Sequence, residues 1–135
     1  VAARDRAAQR RAGRAARRAA RRARQAARVG RAARAYALLL GAREERHGDL
    51  VVLWGLPRRA YPRGGVTWGD AYLTGDRPAA RSPARLRHEA VHAQQWRRHG
   101  YRFALLYLLA GRSAARNRYE VEAGLEDGGY RPRAH

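Results

Sequence analysis

The chain has 135 residues, with 30 basic side chains that are all arginine, 11 acidic ones and a formal net charge of +19. It contains no cysteine, which excludes disulfides, zinc ribbons and thiol catalysis, and no apolar run near the ~18 residues that would cross a bilayer. The length suits one domain, the charge predicts affinity for anionic surfaces, and the expected setting is a soluble protein of the cytoplasm.

Residues 1–34 are almost entirely alanine and arginine. Arg10, Arg14, Arg17, Arg21, Arg24 and Arg28 recur near the helical period, with Ala8, Ala12, Ala15, Ala19, Ala23 and Ala26 opposite them. Both residue types favour helix. An alanine face buries little area, however, and like charges four residues apart repel. The expectation is a partly helical, mobile, solvated arm, with non-specific binding to anionic partners as its functional alternative. Paired Ala and Arg enrichment is also what GC-rich coding produces, so the charge is weighted less heavily than its size suggests. A separate folded domain is expected over residues 35–135.

Ala35 to Leu40, closed by Gly41, reads as the apolar end of the first helix. Asp49 to Leu56 is β-branched and aromatic and reads as a strand. Arg63-Gly64-Gly65 signals a turn. Val66 to Thr74 alternates as a second strand, with Val66, Trp68 and Tyr72 or Leu73 on its packed face, and Gly69 marks a bulge or a close approach. Ser82 and Pro83 supply a helix start; Arg97, Arg98 and His99 suit the negative end of its dipole, and Gly100 stops it. Tyr101 to Ala110 is a short, nearly all-apolar helix, expected to be buried. Asn117 caps a last helix through Leu125. The fold class that follows is α+β: a small antiparallel sheet of two or three strands, packed on the 82–100 helix and two further C-terminal helices.

The middle of that helix reads His88-Glu89-Ala90-Val91-His92, an HExxH string. Residues four apart lie one turn above each other on a helix, so two imidazoles can hold one zinc ion while the intervening glutamate serves as general base toward water. Catalytic zinc takes three protein ligands and leaves a position open. His47, His99 and His135 are poorly placed to be the third. Gln95-Trp96-Arg97-Arg98 also departs from the metzincin pattern, which needs a downstream histidine. The helix after Asn117 offers Glu120 and Glu122, about 200° apart, so one of them can point at a metal. Glu120 is favoured, because Ala123 and Gly124 on its side permit close helix approach; Glu122 is the alternative. Glu120 also stands three residues after Asn117, where it could serve only as the glutamate of a capping box.

His88-Glu89-Ala90-Val91-His92-Ala93-Gln94-Gln95 resembles the HExxHxxQ form of minimal bacterial metallopeptidases, and Asn117 to Ala123 is similar to their NxxExEA segment. Both belong to the gluzincin pattern, in which a glutamate on a later helix completes the zinc site. The resemblance covers roughly residues 50–130. It implies a minimal zincin-like domain, a zinc cofactor, a peptide or protein substrate, His88, His92 and Glu120 as ligands, and Glu89 as catalytic base. Many gluzincins carry an aspartate four residues after the ligand glutamate to orient a histidine. Here that position is Gly124, and Gln95 or Glu126 is expected to substitute.

Tyr119, Tyr130 and an arginine are the candidate oxyanion donors. The Val66 to Thr74 strand is the expected edge for an extended peptide. Trp54 and Trp68 could line a groove, though core packing suits them better. Two readings compete with the peptidase: a catalytically inactive metal-binding interaction module, and an Arg-rich nucleic-acid-binding protein. No helix-turn-helix, RNA-recognition or zinc-finger signature supports the second.

Overall fold

A computed structural model describes residues 1–130; residues 131–135, His135 among them, lie outside the described part. A long helix, α1 (Ala2–Leu39), leads into a hairpin of β1 (Arg43–His47) and β2 (Leu50–Trp54). Two short strands follow, β3 (Val66–Trp68) and β4 (Ala71–Leu73), and then helices α2 (Pro83–His99), α3 (Arg102–Leu109) and α4 (Arg118–Ala123). The class is α+β as expected.

The sheet is larger and differently paired than the sequence suggests. It has four strands in the order β1-β2-β4-β3, and β2 pairs with β4 in parallel while the other two pairs are antiparallel. It is therefore a mixed sheet, not an antiparallel one of two or three strands. The expected single strand over 66–74 breaks at Gly69 and Asp70, and the two halves fold on each other with Val66 opposite Leu73. The extra strand β1 reads Arg-Glu-Glu-Arg-His, and no residue of it is buried. Its place comes from pairing with β2, not from an apolar face.

Side-chain alternation divides the sheet into two faces. Val51, Leu53, Ala71 and Leu73 pack with Ala37 and Ala33 of α1. Leu50, Val52 and Tyr72 pack with Ala93 and Leu86 of α2. The sheet is thus held between two helices, and each fully buried leucine such as Leu53 or Leu73 stabilises by about 1.5–3 kcal/mol.

The first helix is continuous through the alanine-rich stretch, and burial along it starts at Ala26 and Gly30. Small residues gain little area but permit close approach. A Cβ on Gly69 would meet the Gly30 amide at 2.5 Å, and Gly69 sits at φ +63°. The glycine in the broken strand is therefore a close approach, as its position suggested. Further along, Ala26 joins Trp96, Phe103 and Tyr119 in a third cluster.

Helix α2 follows its caps. Ser82 Oγ accepts from the Arg85 amide, Pro83 opens the helix, and Gly100 closes it at φ +63°. The next helix departs from expectation. Only Phe103 of α3 is buried, and Leu105, Leu108 and Leu109 face solvent. Too few elements surround this short helix to cover both of its sides.

Candidate metal centre

Seven residues of α2 are buried, among them His88, Glu89, His92 and Gln95. Four polar side chains inside one helix are costly unless each has partners, and the partners define the site. His88 Nδ1 lies 2.9 Å from the Gly124 carbonyl oxygen. A carbonyl only accepts, so this nitrogen carries the proton. His92 Nδ1 lies 2.8 Å from Gln95 Oε1. The Gln95 amide is fixed in that orientation because its Nε2 donates to the Tyr119 carbonyl at 3.0 Å. His92 Nδ1 therefore also donates.

Both neutral rings then point a bare Nε2 lone pair inward. The two Nε2 atoms are 3.0 Å apart. Glu120 Oε2 lies 3.1 Å from the first and 3.4 Å from the second. That oxygen is buried and has no hydrogen-bond partner, whereas Oε1 accepts from the Tyr107 hydroxyl. Three acceptors thus converge with no donor among them. One proton placed on either imidazole can serve only one of the other two atoms; a divalent cation serves all three. Tetrahedral zinc with bonds of ~2.0–2.1 Å sets its ligand atoms about 3.3 Å apart, close to the 3.0, 3.1 and 3.4 Å found. The His-His-carboxylate set is also chemically suited to zinc.

The electrostatics reflect the same crowding. Burial disfavours charge on His92, but the carboxylates of Glu120 and Glu89 outweigh it and raise the imidazole above its ordinary range. Burial also works against ionising Glu120; the two histidines overcome it and hold the carboxyl far below the usual carboxylate range. Tyr107 is pushed well above a normal phenol by burial and by Glu120.

Helix α4 brings the carboxylate in. Asn117 caps it by accepting from the Tyr119 amide, while its Nδ2 donates to the carbonyls of Tyr107 and Gly111. Those bonds tie α4 to α3 and turn Glu120 toward the histidines and away from a capping box. Glu122 points outward and pairs with Arg98. Gln95 takes the orienting role expected of it for His92. For His88 the partner is the Gly124 backbone itself, while Glu126 is exposed. Gly128 closes over the same ring: a Cβ there would stand 2.5 Å from His88 Cε1.

Glu89 Oε2 accepts from the Thr67 hydroxyl at 2.7 Å, and Oε1 is ion-paired to Arg85 Nε at 2.7 Å. Its carboxylate lines a cavity of about 320 Å³ together with the three converging residues. Trp68, Trp96, Phe103 and Leu108 form the apolar side of that cavity, and Arg85, Tyr107 and Tyr130 add polar groups. Of the expected oxyanion donors, Tyr130 and an arginine face it, while Tyr119 is packed in the core beside Phe103. Trp68 is a wall of the cavity, whereas Trp54 lies under the guanidinium of Arg81, 3.7 Å from its ring centre. Strand β3 is an outer strand, but its middle carbonyl, on Thr67, already accepts from Trp96 Nε1 at 2.9 Å. Tyr107 and Thr67 were not legible as site residues. Nothing in an apolar run or a three-residue strand signals a carboxylate partner.

Among the described residues, no helix is long and apolar enough to cross a membrane. No family model, no curated protein and no solved structure matches the chain.

Proposed function

We propose that the chain is a zinc-dependent metallopeptidase in which His88, His92 and Glu120 hold the ion and Glu89 is the general base. The observation that carries this reading is the convergence of three buried lone pairs, without a donor, where the HExxH helix meets α4 beside a cavity. Zinc held there would polarise a substrate carbonyl and lower the pKa of a water toward about 7.

The remaining work falls to the chain's own side chains. Glu89 takes a proton from the attacking water and returns it to the leaving amine, so the water oxygen ends in the new carboxylate. Thr67 fixes the rotamer of Glu89, and Arg85 balances its charge. Tyr130 and Arg85 are the donors on the cavity wall available to the oxyanion. The apolar side formed by Trp68, Trp96, Phe103 and Leu108 suits an uncharged substrate side chain.

A second reading, an inert metal-binding module, is favoured by one observation: both carboxylate oxygens of Glu89 already have partners. Glu89→Gln separates the two. The amide keeps the shape and leaves the three converging residues intact. For a peptidase, the variant retains zinc and loses about 10²–10⁴-fold in cleavage of a peptide library. Zinc-loaded wild type without cleavage, or equal cleavage by the variant, rejects the peptidase reading.

A further inference from the structure

Helix α3 turns an apolar stripe to solvent. Tyr101, Leu105, Leu108 and Leu109 are 49 %, 60 %, 74 % and 75 % exposed. Their spacing of four, seven and eight residues places them on one side of the helix. The opposite side is occupied: Phe103 is in the core, and Ala104 and Tyr107 line the cavity.

Arginines fringe both ends of the stripe. Arg102 begins the helix and Arg112 follows it, and Arg63 donates to the Arg112 carbonyl. Near the helix start, Arg22, Arg102 and Arg118 come close enough to His99 to disfavour its charge, adding to burial. Among the described residues, none of Arg22, Arg63, Arg102, Arg112 and Arg116 has an acidic partner within ion-pair distance.

The charge pattern decides what can cover such a surface. A second copy would set one arginine fringe against another on chains that each carry +19. A nucleic acid would satisfy the arginines and leave the leucines in water. An anionic bilayer takes up the leucines and the arginines together, and it conforms to a single exposed helix. We infer that α3 docks the protein on the surface of an anionic lipid bilayer, with Leu105, Leu108 and Leu109 entering the acyl boundary and the flanking arginines meeting phosphate headgroups. Leu108 and Arg112 also line the cavity, so docking sets its mouth at the membrane surface. The inference does not depend on the metal or on catalysis.

The test is co-sedimentation of the full chain with vesicles of phosphatidylcholine alone or mixed with phosphatidylglycerol. The comparison is a variant carrying Leu105→Gln, Leu108→Gln and Leu109→Gln, which removes exposed side chains and changes no charge. The expected result is binding to the mixed vesicles only, weakened about tenfold or more in the variant. Equal binding by both proteins overturns the inference, since the arginines alone would then account for it. Failure to bind vesicles also overturns it, whether the stripe instead proves to mediate self-association in sedimentation velocity or stripe-dependent binding to polyglutamate.

Discussion

Replacing Gln95 with leucine tests how the site is organised. The side chain is fully buried, with Oε1 accepting from His92 Nδ1 at 2.8 Å and Nε2 donating to the Tyr119 carbonyl at 3.0 Å. Leucine fills similar space and makes neither bond. Two effects follow, and they can be measured separately. The Tyr119 carbonyl and the His92 N–H lose their partners at about 1–3 kcal/mol each, so metal-free stability falls by about 2–6 kcal/mol in urea unfolding. His92 also loses the acceptor that selects its tautomer. Loss of such an orienting partner weakens metal affinity about 10–100-fold, or about 1.4–2.7 kcal/mol, read by competition with a chelating dye. Gln95→Glu separates the two effects: it keeps an acceptor for Nδ1 and drops the donor to Tyr119. It should lose stability and hold zinc nearly as tightly as wild type. A folded Gln95→Leu protein with wild-type zinc affinity would refute the claim that this side chain orients His92.

Three further outcomes follow from the same structure. Zinc affinity should fall with acidification over a range lying above the ordinary imidazole value of about 6.5, because zinc must displace a proton from His92, whose affinity for it is raised. In the metal-free protein the sign reverses. The raised His92 adds stability that is complete below the unfolded imidazole pKa and is lost as pH rises through the folded one. Dye competition and urea unfolding across pH check the pair, and parallel trends with and without metal would contradict it. Gly69→Ala should cost about 2–3 kcal/mol or more in urea unfolding, from the left-handed backbone and the crowding against Gly30. A loss below about 1 kcal/mol would mean that α1 does not rely on this contact.

Much of the site was legible because its signals are local. Ser82, Pro83 and Gly100 bound α2 by capping chemistry, and HExxH places two histidines one turn apart whatever surrounds them. Helical angle left one of Glu120 and Glu122 able to face the histidines, and the small Ala123 and Gly124 favoured Glu120; Glu120 is buried and Glu122 is exposed beside Arg98. What escaped is non-local. The exposed, charged strand β1 has no periodicity to read, and the parallel pairing of β2 with β4 is decided by the return path of the loop between β2 and β3. Composition alone made α3 look buried, since eight residues that are nearly all apolar do not reveal how many neighbours exist to cover them. The contact at Gly30 and Gly69 was half visible. The strand glycine announced an approach, but not that a helix read as a solvated arm would make it.

The central claim is that His88, His92 and Glu120 hold one divalent ion, and elemental analysis of purified protein tests it directly. Wild type should carry close to one equivalent of zinc, and folded His88→Ala should carry almost none, because two remaining ligands cannot complete the site. Folded wild-type protein that neither retains metal nor takes up zinc on dialysis against it, or a His88→Ala variant that binds as much as wild type, would contradict the account.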